Sequence, residues 1–204
     1  LIGAACFDGV ASAFLKTHPP RVGYLHPFGA QMPQLCAQLP ILAGLPYLPD
    51  VARLEWAWQQ AFHATNAPPL TAQDFASAAD GQPDALRLRL HDSATVLRSA
   101  YPVGRIFEAN QPDYRGDDVV SLDQGSESLL IVRRGMDVCV ERLSPGEYTL
   151  LAALDQNTPL GEALHTALCT QPDCPVGNAL AKHVAGGTFA RHTPNQTRTH
   201  RSSP

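Results

Sequence analysis

The chain has 204 residues, 17% of them charged and 7% aromatic, with a formal net charge of −4; this length can bury one large core or two small ones. Charge is evenly spread: residues 1–80 hold three basic and five acidic side chains, 81–119 five and six, and 120–204 seven and eight. No segment is a basic patch, which counts against nucleic acid as a partner, because phosphate contacts supply most of the affinity of a DNA-binding protein.

The opening segment Leu1–Leu15 is apolar, with Phe7, Val10, Ala11 and Phe14 at helical spacing. It begins at Leu and reads as the middle of a structure, so a preceding N-terminal piece is expected. The helix is predicted to end near Thr17, since each Pro of His18-Pro-Pro20 disfavours helix in the residue before it. Tyr24–Leu39 gives a second helical stretch, with Phe28, Met32, Leu35 and Leu39 on one face and Pro27 and Pro33 as interruptions.

Pro49 and Asp50 suit the start of a third helix: Pro lacks an N–H that is not needed there, and Asp places negative charge at the positive end of the helix dipole. Val51, Leu54, Trp58 and Phe62 recur at spacings of three and four as an apolar stripe, with Arg53, Trp56, Gln60 and His63 as a second row. Glu55 falls on or beside the stripe. A carboxylate facing the core needs a partner, and Arg89 is the expected one, the two forming a structural ion pair.

Pro68-Pro69 ends that helix, and Thr71-Ala-Gln-Asp74 has the spacing of a capping box opening a short helix to about Ala79. At Leu86-Arg-Leu-Arg-Leu90 the period changes to two, which predicts a half-buried strand. His91-Asp-Ser93 turns, Val96-Leu97 is expected to pair back, and Pro102–Gln111 forms another short helix. Residues 112–126 are polar and rich in turn formers, the expected domain boundary.

Leu129-Leu-Ile-Val132 and Val138–Leu143 predict a β-hairpin around a turn containing Gly135. Ser144-Pro-Gly-Glu147 then supplies an N-cap, a first-position Pro and a Glu at the third position. Further helices follow from Thr158-Pro159 to Leu168 and over Val176–Val184, stopping at Gly186-Gly187. The expected fold is therefore mainly α with a small α+β C-terminal domain: a helical domain at 1–111 with a short strand pair near 86–99, a linker at 112–126, a winged-helix-like unit of hairpin and three helices at 127–190, and a disordered polar tail at 191–204.

Several stretches together resemble the bacterial HvfC/BufC family, whose members are labelled DNA-binding domain proteins. They are Phe14-Leu-Lys-Thr-His-Pro-Pro20, Tyr47–Trp58 with Ala61-Phe-His-Ala64, Leu88-Arg-Leu-His91 with Tyr101-Pro102, Leu129-Leu-Ile-Val-Arg133, and the Ser144-Pro-Gly-Glu helix through to Gly186-Gly187. The likeness runs to about residue 190. Family members usually begin with a further helical segment bearing a Tyr-Arg-Asn-like motif, absent here, and often carry Trp where this chain has Phe107. The resemblance implies a cytoplasmic, non-catalytic accessory subunit that forms a heterodimer with a multinuclear non-haem iron oxygenase and presents a ribosomally made precursor peptide. The hairpin followed by helices is similar to winged-helix elements that bind leader peptides.

On this reading the peptide is expected to add as a strand to the hairpin edge, with Leu130, Val132, Val138 and Val140 in contact, and Arg53, Trp56 and His63 face the partner enzyme. The plainer alternative is that the hairpin covers the helices. A DNA-binding transcriptional regulator is the second functional reading, drawing on Arg133, Arg134 and Arg191.

Other clusters carry less. His165, Cys169, Cys174 and His183 fit no common zinc spacing, so core or loop thiols are expected and no metal or cofactor. Five cysteines, an odd number, suggest a reducing compartment. His91-Asp92-Ser93 has the letters of a hydrolase triad, but triads are assembled across a fold and no Gly-x-Ser-x-Gly elbow is present. No membrane-spanning run and no catalytic residue is expected.

Overall fold

Four consecutive apolar residues, Leu129-Leu-Ile-Val132, lie at the centre of the molecule. The computed structural model describes residues 1–19, 28–116 and 119–191. In chain order its elements are α1 (Ala4–Thr17), α2 (Met32–Gln38), α3 (Leu48–His63), α4 (Ala72–Ala78), β1 (Ala94–Ser99), α5 (Val103–Ala109), β2 (Glu127–Arg134), β3 (Asp137–Arg142), α6 (Pro145–Asp155), α7 (Leu160–Thr170) and α8 (Val176–Ala185). The three strands form one antiparallel sheet of order β1-β2-β3.

The central strand β2 is covered on both faces, which is why its apolar run is continuous rather than alternating. Leu129 and Ile131 point towards α3 and α5, packing with Val51, Leu54, Ala57 and Ile106. Leu130 and Val132 point the other way, into Leu150, Leu151, Leu154 and Ala163 of the C-terminal helices. All four are fully buried, and each such burial contributes about 1.5–3 kcal/mol. A third cluster, built on Val10, Phe14, Leu35 and Cys36, fastens α1 and α2 to the far side of α3 through Leu48 and Ala52.

Helix α3 is thus buried on two sides, and small residues make this possible. Ala57 and Ala61 let it lie close on the sheet, whereas Phe62 of the expected stripe is exposed and stacks on half-buried Trp58. Both anticipated capping boxes form, Thr71 with Asp74 and Ser144 with Glu147. Pro33 lies in the first turn of α2 and starts that helix instead of interrupting it.

Two expectations of organisation are corrected. The 112–126 segment is not a domain boundary, because β1 before it pairs along its length with β2 after it, from Ala94 opposite Val132 to Ser99 opposite Glu127. The strand pair near 86–99 does not form either. Leu88 and Leu90 do alternate into the core, but the hydrogen-bonding partners of this stretch come from the end of the chain: His91 N–H donates to Thr188 and Ala190 N–H to Arg89. The expected tail lies outside the described residues except for Arg191, as does the Tyr24–Pro27 part of the second helical stretch.

Candidate functional site

Hydrogen-bond parity decides which groups the sheet leaves open. The N–H of Leu143 donates to the Ser128 carbonyl at 2.9 Å, so even-numbered residues of β2 bond towards β3 and odd-numbered ones towards β1, given the registers. It follows that β3 turns the main chain of Val138, Val140 and Arg142 outward, and β1 that of Val96 and Arg98. Gly135, with φ of 66°, supplies the positive-φ turn between β2 and β3.

The β3 edge carries charges already spent within the fold. Arg142 pairs with Glu127 at 3.0 Å and Glu108 at 2.8 Å, which holds its guanidinium pKa above the ordinary value. Glu141 pairs with Arg134 at 2.7 Å and Lys182 at 3.8 Å. Val138 and Val140 are half-buried against the α3-side cluster, and Cys139 against the C-terminal one. Of the four residues expected to touch a peptide, Leu130 and Val132 cannot, because their central strand is enclosed by helices on both faces.

The β1 edge opens into a cleft of about 510 Å³. Its floor is Thr95–Arg98; α3 supplies one wall through Arg53, Trp56 and Gln60, and Tyr148 of α6 the other. Arg53 pairs with Asp50, whose other oxygen accepts from Ser99 Oγ, so the first turn of α3 is tied to the end of β1. Trp56 is half-buried with Gly29 close to its ring. Arg98 is exposed and lies over the Tyr148 ring, 5.9 Å from its centroid. Of the three residues expected at a partner interface, Arg53 and Trp56 share this cleft; His63, at the other end of α3, is exposed beside Phe62 and does not line it.

The cations of the DNA-binding reading are committed elsewhere. Arg133 donates to the carbonyls of Phe62, Ala64 and Thr65 at 2.9, 2.8 and 3.2 Å and to Asn66 Oδ1 at 2.8 Å, closing the C-terminal end of α3. The Phe62 and Ala64 carbonyls are among those that a helix end leaves without an intrahelical donor, and Thr65 and Asn66 follow directly after it. Arg134 bonds Glu141 and the Gly186 carbonyl, and Arg191 pairs with Asp74 at 2.9 Å. Nothing in the sequence flagged Arg133 as a cap, because its partners lie about 70 positions away.

The expected Glu55–Arg89 pair is also corrected. Arg89 pairs with Asp92 at 3.0 Å, three residues along. Glu55 is exposed by area and forms no ion pair among the described residues. Enough protein still surrounds its carboxyl for desolvation to raise its pKa, with the amino terminus opposing that shift.

His91 and Ser93 are buried and bonded to each other, with Ser93 Oγ 2.8 Å from His91 Nδ1 and the Ser93 N–H donating to the same nitrogen. Nε2 therefore carries the proton and donates to the Ala67 carbonyl at 2.9 Å. Asp92 faces Arg89 and Thr65 instead, so the three do not line up as a triad. Of the thiols, Cys169 lies 3.6 Å from His165 on the exposed face of α7, while Cys174 is buried against Gly146, where an added Cβ would come within 2.6 Å of its sulfur. Among the described residues no three potential metal ligands gather, and no helix is long and apolar enough to cross a membrane.

No family model matches this chain, and no curated protein matches it significantly.

Proposed function

We propose that this protein is a non-catalytic accessory subunit that binds a multinuclear non-haem iron oxygenase and presents its ribosomally made precursor peptide, working in the cytoplasm. The observation that supports this role is the sheet itself: three antiparallel strands followed by three helices, with both outer strands turning outward main-chain groups that take no sheet partner among the described residues. An extended peptide can join such an edge as a further strand, main-chain bonds giving affinity and neighbouring side chains giving selectivity. The helical layer of α1, α2 and α3 places Arg53 and Trp56 beside one of those edges, where a Trp can anchor an incoming peptide.

Co-expression with a multinuclear non-haem iron oxygenase tests the role. A stable heterodimer on size exclusion is expected. Separate elution of the two proteins, each folded, removes the accessory-subunit reading.

A further inference from the structure

We propose that the β1 edge, rather than the β3 edge, is the peptide seat, and that it selects an extended segment carrying two adjacent acidic residues; this rests on the peptide-presenting role above.

Three features of the cleft point to that occupant. The first is the main chain. Val96 and Arg98 turn their N–H and C=O groups into the cleft, and these take no partner among the described residues. They recur about 7 Å apart along the strand, the repeat at which an added antiparallel strand presents its own groups.

The second is confinement. Helices α3 and α6 flank the β1 edge with Trp56 and Tyr148, and Ala30, Pro33 and Gln34 around the start of α2 line the same cleft, so a chain laid along the edge meets an aromatic surface and is confined at its sides. At β3 the side chains are already committed to packing, Val138 and Val140 against the α3 side of the sheet and Cys139 against the C-terminal helices.

The third is charge. Arg98 reaches along the α6 wall and has no carboxylate partner among the described residues, its contact being the Tyr148 ring. Arg53 stands on the α3 wall, half exposed, with one contact to Asp50. None of the residues lining the cleft is acidic. Successive residues of an extended chain point to opposite faces, so one carboxylate meets Arg53 and the next meets Arg98. At the β3 edge the corresponding cation, Arg142, already holds two carboxylates.

The test uses the full chain and short fluorescein-labelled peptides of alternating Thr and Val with a central Glu-Glu, Gln-Gln or Lys-Lys pair, read by fluorescence anisotropy. The Glu-Glu peptide is expected to bind tightest. Arg98→Glu, which alters an exposed side chain, should weaken it on the order of ten-fold while improving the Lys-Lys peptide. A benzophenone placed in the Glu-Glu peptide should cross-link wild-type protein within the α3, β1 and α6 segments. Cross-links on Asp137–Arg142, or equal binding of all three peptides, would overturn the β1 seat and leave the presenting role standing. Absence of any binding also overturns it. Co-purification of Arg98→Glu with the oxygenase reads the accessory role separately, and the heterodimer is expected to survive that change.

Discussion

The two edges of the sheet are built from similar material and differ in what their arginines do. At the β3 edge, Arg142 of β3 and Arg134 at the end of β2 are consumed by Glu127, Glu108, Glu141 and a helix-end carbonyl, and the edge is a finished piece of structure. Along β1, Arg98 lies over Tyr148 and Arg53 keeps only its neighbour Asp50, beside a cleft. Equal numbers of cations at two edges therefore mean different things. Local charge count is a poor guide to a binding surface until each cation has been assigned its partners.

The comparison presupposes that both edges belong to one sheet with a shared centre, and the largest expected effect tests this. Leu130→Ala and Ile131→Ala remove fully buried side chains from opposite faces of β2, and each should cost about 2–5 kcal/mol. Because one strand serves both clusters, both variants should unfold in a single cooperative denaturant transition seen alike by tryptophan fluorescence and circular dichroism. Two separated transitions, with Leu130→Ala moving only one of them, would restore a division into independent halves.

A second effect separates committed from uncommitted arginines. Arg133→Ala strips four acceptors at the end of α3 of a charged donor and should destabilise by about 1.5–3 kcal/mol. Arg98→Ala removes only an exposed ring contact, and its stability should stay within about 0.5 kcal/mol of wild type. Chemical denaturation of the pair measures both, and equal losses would erase the distinction.

The helix that follows β3 gives a smaller effect with a pH signature. Ser144→Ala should cost about 1 kcal/mol by opening the capping box of α6. Burial acts to raise the Glu147 pKa, but the Ser144 bonds and Lys182 outweigh it, so the carboxyl sits below its ordinary value. A depressed carboxyl contributes stability that is present above the unfolded pKa and lost as pH falls through the folded one. His183 acts with the same sign: burial, then Lys182, lowers its pKa, so stability should begin to fall as pH drops below about 6.5, where the unfolded chain takes up a proton first. Melts between neutral and acid pH check both, and Glu147→Gln should flatten the acid limb while His183→Gln flattens the part near neutrality.

What was legible in the sequence follows from how local its cause is. Capping boxes, the Gly135 turn and the starts of α3, α4, α6, α7 and α8 depend on residues within four positions of each other and form within a residue of where expected, whereas the helix expected from Tyr24 begins only at Met32, after a turn at 28–31. The strand character of Leu86–Leu90 was half legible: period two correctly put Leu88 and Leu90 inside, but periodicity says nothing about the partner, which came from Phe189 and its neighbours. The 112–126 segment illustrates the opposite error. Polar turn formers mark a loop reliably, yet whether a loop separates domains depends on pairing across it, and β1 pairs across it with β2. The cleft was partly visible, since Arg53 and Trp56 were singled out for their row on α3, while Arg98 and Tyr148 gave no signal because only the fold brings them opposite.

The smallest expected effect concerns Glu55, whose anticipated ion pair with Arg89 is replaced by a partly desolvated carboxyl that forms no ion pair among the described residues. Its pKa is raised, so between the unfolded and folded values the folded state holds the proton more tightly, and stability falls as pH rises through that window. Ionised Glu55 is then a slight cost at neutral pH, the reverse of what a buried pair would contribute. Glu55→Gln should be neutral or slightly stabilising at pH 7, by no more than about 0.5 kcal/mol given the exposure of the residue. The difference should vanish below the ordinary glutamate pKa, where both side chains are uncharged. Paired denaturant melts at neutral and acid pH measure it. A clear loss at neutral pH that disappears in acid would mean the carboxylate is held by a cation after all, and α3 would regain the electrostatic tie that its sequence suggested.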